Sequence, residues 1–130
     1  MPHVAYDWSR RRFHMMELTN SLVEKRFRSS LGKLQYTLID HPRHDDIVTE
    51  IATFAGANPK LFAVESSPDN GDDHFILLVN FDQIVELYAS RLNNASIVIE
   101  RKVPFNEFTS QLSMINQIML AVALDMSRQI

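Results

Sequence analysis

The sequence has no cysteine, only three glycines, and no apolar run near the roughly 20 residues needed to span a bilayer. Without cysteine the chain forms no disulfide, no thiolate nucleophile and no cysteine-ligated zinc site, and we expect a reducing, cytoplasmic location. The first residues lack the apolar stretch of a secretory leader, and no membrane contact is expected. Few glycines leave few places where the backbone could approach a phosphate closely. We therefore predict no cofactor.

Charge is distributed unevenly along the 130 residues. Residues 1–33 contain seven basic and three acidic residues, a net charge of +4, whereas the rest contains six and thirteen, a net charge of −7. Such asymmetry indicates a basic segment that meets an acidic partner, a nucleic acid or the acidic body of its own fold. The length and the 45% hydrophobic content suit one globular domain.

Hydrophobic periodicity predicts an α+β domain with a ferredoxin-like βαββαβ core. Residues 1–33 form a basic amino-terminal helix (8–27, ended by Gly32), residues 34–103 the core, and residues 104–130 one long carboxy-terminal helix. The core is predicted to be a four-stranded antiparallel sheet with two helices. Its strands are predicted at 34–40, 61–67, 74–80 and 95–103, and its helices at 47–56 and 81–94.

The stretch DHPRHDD at 40–46 raises the question of a metal site. His41 and His44, with Asp45 or Asp46, could supply nitrogen and oxygen ligands to zinc or another divalent ion. A helix start explains the same residues, because Pro42 suits a first helical turn and the helix dipole favours early carboxylates. A closed zinc site needs four ligands, and no second histidine pair exists. We predict a helix start and no metal.

Motifs for catalysis are scarce. The acidic turn SPDNGDDH lacks the twelve-residue spacing of a calcium loop, and Asn-Gly at a hairpin tip has a local conformational cause. No nucleophile elbow, phosphate loop or zinc-protease motif occurs. His74 beside Asp72 and Asp73 could act as an oriented base, but a hairpin edge predicts solvent exposure instead. We predict no catalytic residue and no enzymatic activity.

Two basic clusters near phenylalanines, RRRFH and EKRFR, are the candidates for nucleic-acid contact. The ordinary explanation is a solvated helix face with Phe13 and Phe27 in the core. Glu17 and Glu24 interrupt the basic face, and the whole chain is acidic. A nucleic-acid-associated factor is therefore the alternative function. Its contacts to phosphate, or to an acidic protein, would come from Arg10, Arg11, Arg12, Lys25, Arg26 and Arg28.

The carboxy-terminal segment has the most specific pattern. Apolar residues repeat there at alternating steps of four and three, as in a helix seam, and residues 108–123 carry no charge. They are Phe108, Leu112, Ile115, Met119, Val122 and Met126. Burial inside the monomer is one explanation, and an interface with another chain is the one we favour. The sequence thus predicts a homodimeric protein-binding module, such as an adaptor, a chaperone-like factor or an inhibitor of a larger assembly.

Overall fold

Four consecutive strands form one antiparallel sheet, flanked in sequence by two helices on each side. The computed structural model describes residues 3–4, 17–18, 21–92 and 96–130. A short antiparallel pair comes first. The elements in chain order are β1 (His3–Val4), β2 (Glu17–Leu18), α1 (Leu22–Ile39), α2 (His44–Ala55), β3 (Leu61–Asp69), β4 (Asp72–Val79), β5 (Gln83–Ser90), β6 (Val98–Pro104), α3 (Phe105–Ser110) and α4 (Met114–Ser127).

The sheet order β3-β4-β5-β6 follows the chain, so each strand pairs with its neighbour in sequence. The turn between β3 and β4 consists of Asn70 and Gly71, both with positive φ (52° and 87°). Asparagine and glycine tolerate this conformation, which matches the twist of a tight hairpin. The hairpin predicted between residues 61–67 and 74–80 is therefore confirmed.

Both faces of the sheet are covered by helices. On one face Phe75, Leu77 and Val79 of β4 pack in a cluster with Ile47 and Ile51 of α2. On the other, Leu78 and Ile84 pack with Phe105 of α3 and with the buried α4 segment 120–124. Burial on both sides is the reason that β4 is apolar almost throughout, as expected for a central strand.

The α+β class and the four-stranded antiparallel sheet are confirmed, but the element order differs from βαββαβ. Residues 34–40, predicted as a strand, belong to the second half of α1, and Gly32 lies inside that helix rather than at its end. Leu31, Leu34 and Leu38 share one buried or half-buried helical side, while Tyr36 is 69% exposed. The alternation of Leu34, Tyr36 and Leu38 was thus a coincidence within a helical repeat.

Residues 81–94 were predicted as a helix, yet residues 83–90 form β5. Ile84 and Val85 are both fully buried because they face opposite covered sides of the sheet. Adjacent buried residues in a strand resemble a helical stripe, which explains the error. Leu92, predicted to lie on that stripe, is 75% exposed.

The two terminal helices also differ from the prediction. The carboxy-terminal helix is interrupted: α3 ends at Ser110, and Ser113 caps α4 by accepting a hydrogen bond from the backbone N–H of Asn116. At the other end, Glu17–Leu18 forms a strand, and α1 begins at Leu22, so a continuous helix over 8–27 is wrong. The remainder of that prediction, residues 8–16 and 19–20, lies outside the described residues.

Candidate docking groove beside helix α1

Helix α1 is fixed against the edge of the sheet by the side-chain amide of Gln35. Its Nε2 donates to the carbonyl of Ala63 at 2.8 Å, and its Oε1 accepts from the Ala63 N–H at 2.8 Å. The same Nε2 also donates to the carbonyl of Leu31, one turn earlier in α1. Gln35 therefore satisfies both outward-facing backbone groups of one residue on the edge strand β3, as a further strand would.

An open groove of about 720 Å³ lies beside α1, between this helix and the end of α4. Gly32 and Lys33 of α1 line it, with Phe62 of β3 and Met126 of α4. Three more of its lining residues are apolar and mostly exposed: Tyr36 (69%), Ile39 (58%) and Ile130 (67%). Apolar surface of this kind, gathered around one depression, typically marks a binding site.

The α1 side of the groove is a continuous stripe. Arg28, Gly32, Tyr36 and Ile39 follow one another at steps of four, four and three, which places them on one face of the helix. At 1.5 Å per residue this stripe is about 16 Å long. A Cβ at Gly32 would meet no atom within 4 Å, so the middle of the stripe is open space.

The rim of the groove is positively charged. Among the described residues that line it, two are cationic (Arg28 and Lys33) and none is acidic. Arg28 Nη2 lies 2.7 Å from Oδ2 of Asp125, an ion pair that joins α1 to α4. Lys33 is exposed, as are Lys25 and Arg26 further along the same helix. Because Asp125 balances the charge of Arg28, the positive charge of this rim comes from Lys33, with Lys25 and Arg26 beyond it.

On the opposite side of α1, a buried polar cluster holds the connection to α2. His41 Nε2 lies 2.8 Å from Asp73 Oδ2, and the backbone N–H of Arg43 donates to His41 Nδ1 at 3.0 Å. Because Nδ1 accepts, the hydrogen-bond pattern assigns the proton to Nε2, which donates to Asp73. Arg91 Nε also donates to Asp73 Oδ2, at 2.9 Å.

Burial by itself would raise the pKa of Asp73, but hydrogen bonds from Arg91 and His41, with the charge of Arg91, outweigh burial and lower that pKa below its usual value. The cluster lines a cavity of about 360 Å³ together with Thr37 and Ser66. Both ring nitrogens of His41 are engaged with protein atoms. These hydrogen bonds join the connection between α1 and α2 to Asp73 of β4.

The structure agrees with the helix-start interpretation of residues 40–46. Helix α2 begins at His44, and Asp45 and Asp46 lie in its first turn. His44 Nδ1 is 3.6 Å from Asp45 Oδ1 at the surface, apart from the buried His41 cluster. Within residues 21–92 and 96–130, no group of three histidine, aspartate or glutamate side chains is placed to hold a metal ion.

Most of the predicted seam is part of the protein's own core. Val122 is fully buried, and Phe108, Leu112, Met119 and Met126 are half-buried against the same cluster. Ile115 alone of the six is exposed, at 49%. Phe108 belongs to α3 and Leu112 to the turn before α4, so the six residues do not share one helix. Whether any of them contacts another chain stays a prediction.

Of the six basic residues predicted to contact phosphate or an acidic protein, three lie on α1. Lys25 and Arg26 are exposed on α1, while Arg28 is engaged with Asp125. Arg10, Arg11 and Arg12 lie outside the described residues.

His74 lies on a sheet face rather than at an exposed hairpin edge. Its ring is 4.8 Å from that of Tyr88 between centroids, and its Nε2 is 3.7 Å from Glu86 Oε2. Burial, followed by the carboxylates of Asp69, Glu100 and Glu86, raises the pKa of Tyr88. Glu86 is also paired with Arg101, whose Nη2 lies 2.7 Å from Glu86 Oε1.

Comparison with protein-family models, with curated proteins and with solved structures finds no match for this chain. None of the helices among the described residues combines the length and the apolar character needed to cross a bilayer.

Proposed function

We propose that this chain is a non-enzymatic protein-binding module, of adaptor, chaperone-like or inhibitor type, which docks on a larger partner through the groove beside α1. One observation carries the proposal: Tyr36, Ile39 and Ile130, each more than half exposed, surround a single open groove. Burying one such side chain stabilises a complex by about 1.5–3 kcal/mol. Three of them could anchor a partner.

The edges of the sheet are poor alternatives for docking. The outer edge of β3 is blocked at Ala63 by Gln35 and is irregular between Ala63 and Glu65. On the other edge, β6 pairs irregularly with β5, exposes Arg101 and Lys102, and ends in Pro104. Bulges, charges and proline all oppose the addition of a strand. These features support docking on a helical surface instead.

We also propose a homodimer, but its contact surface differs from the predicted seam. The predicted seam is largely internal, but Met114 and Ile115 at the start of α4 are 71% and 49% exposed. Ile115 belongs to the predicted seam and Met114, which does not, lies beside it; we propose that these two side chains contact a second copy. The nucleic-acid alternative has less support, because Arg28 is engaged with Asp125 and the groove beside the basic residues is apolar.

The test is a photo-crosslinking amino acid placed at position 36, with a matched probe at Ser30, which is exposed on α1 but does not line the groove. We expect a discrete crosslinked species from position 36 and none from position 30. The partner captured by crosslinking, once purified, should bind the Ile39→Asp variant about tenfold more weakly than the wild type. The Ser30→Asp variant should bind this partner as tightly as the wild type does.

Two results would overturn parts of the proposal. If position 36 gives no specific crosslink, or if Ile39→Asp leaves binding of the purified partner unchanged, the groove is not the docking site. If the crosslinked species has twice the 15.0 kDa mass of the chain, the groove binds a second copy and not a larger partner. The native mass of the unmodified protein decides the homodimer separately.

A further inference from the structure

We infer that the groove beside α1 takes an amphipathic helix of about three turns, with apolar anchors on one side and acidic residues along its flank. This inference rests on the proposed function and adds to it the shape and the charge of the partner segment. The walls of the groove, its rim and the edge strand β3 support this inference.

The shape of the groove favours a helix over an extended segment. An extended peptide gains its affinity from pairing with a free strand edge, and Gln35 already occupies that edge at Ala63. The two walls are instead helices, α1 and the end of α4. The stripe of about 16 Å on α1 matches about eleven residues of a helix laid beside it.

The floor of the groove indicates how the anchors are spaced. Gly32 leaves an open position between Arg28 and Tyr36, and Phe62 and Met126 provide apolar surface beneath it. One apolar side chain can enter at Gly32, and others can pack against Tyr36 and Ile39. These contacts recur at about one helical turn, which requires anchors near positions i, i+4 and i+7 of the bound helix.

The rim selects the charge of the partner. Lys33 borders the groove, exposed Lys25 and Arg26 extend the basic surface along α1, and the acidic residue of that helix, Glu24, is only 4% exposed. Two copies of this groove facing each other would bring their lysines together, which is unfavourable. Carboxylates on a separate partner helix would instead be attracted to Lys33, Lys25 and Arg26.

The experiment uses three synthetic helical peptides with identical apolar positions i, i+4 and i+7 and with Glu, Gln or Lys at the flanks. Fluorescence anisotropy measures their binding to the full chain. We expect the Glu peptide to bind about tenfold more tightly than the Lys peptide, with the difference shrinking at high salt. The variant Lys33→Glu should reduce this difference, because Lys25 and Arg26 remain.

Lys102→Glu is the matched control, because it changes net charge equally at an exposed position over the ring of Phe54, on a different surface. It should leave the difference in affinity between the Glu and Lys peptides unchanged. If all three peptides bind equally well, the groove does not select for charge. If Ile39→Asp abolishes this equal binding, the proposed docking still holds. A preference for Glu that Lys33→Glu does not alter would overturn the charge selection as well. If no peptide binds, a helical occupant is excluded, whereas the crosslinking at position 36 still decides the docking function.

Discussion

The two sides of helix α1 near its end have opposite character. On one side, the buried His41 and Asp73 form a polar cluster with the exposed Arg91, and these groups bind one another. On the other, Tyr36 and Ile39 are left exposed beside an open groove. The histidine–aspartate pair resembles catalytic chemistry, yet its hydrogen bonds are completed within the protein. The apolar side chains beside the groove are the surface on which we propose docking.

The largest expected effect comes from removing the centre of the polar cluster. Asp73→Ala leaves the His41 Nε2–H and the Arg91 Nε–H without their acceptor, and Asp73 is only 7% exposed. We expect a loss of about 3 kcal/mol in the free energy of unfolding, measured with urea. Asp69→Ala, at an exposed position of the same hairpin, is the control and should change stability by less than about 0.5 kcal/mol. If both variants unfold alike, the cluster does not stabilise the fold.

A smaller effect concerns pH. The pKa of Asp73 is lowered in the folded protein by Arg91 and His41 against the opposing effect of burial. Its ionised form therefore contributes stability above the unfolded value near about 4, and this contribution is lost as pH falls through the lower folded value. We expect the unfolding free energy of the wild type to fall more steeply than that of Asp73→Asn between about pH 5 and pH 3. Parallel pH profiles would show that Asp73 is not stabilised as the carboxylate.

The smallest expected effect on stability lies on the groove side. Tyr36→Ala and Ile39→Ala should each change the free energy of unfolding by less than about 0.5 kcal/mol, because both side chains are mostly exposed. Leu38→Ala is the adjacent buried control, at 2% exposure, and should cost about 3 kcal/mol. Thermal and urea unfolding of the three variants make the measurement. A large loss at Tyr36 would mean that this residue stabilises the fold rather than a complex.

Elements with local signals were predictable from the sequence. Helix α2 has apolar residues at helical spacing ended by Gly56, and the β3–β4 hairpin has Asn70 and Gly71 at its tip. The strand at 98–104 was also expected, with Pro104 at its end. The segments 34–40 and 83–90 were misassigned because their periodicity depends on what covers them. A strand covered on both faces and a helix covered on one can show similar apolar patterns.

The groove on which we propose docking was harder to predict than the fold. Tyr36 was assigned to the buried face of a strand, and only the packing of α1 against β3 and α4 leaves it exposed. The polar cluster joins His41 to Asp73 and Arg91, which lie 32 and 50 residues away along the chain. No local spacing indicates such contacts. The basic character of α1 was visible in the sequence, and it is the part of the site that the prediction contributed.

The strand order has a consequence for when the groove forms during synthesis. Neighbouring strands joined by short turns can pair as soon as they are synthesised, and such local contacts form quickly. The groove instead needs α1 and α4, whose ion pair between Arg28 and Asp125 joins residues 97 positions apart. A chain that is still being synthesised can therefore hold its sheet without having a groove. In the proposed function, a partner would bind only after α4 has been synthesised and has packed against α1.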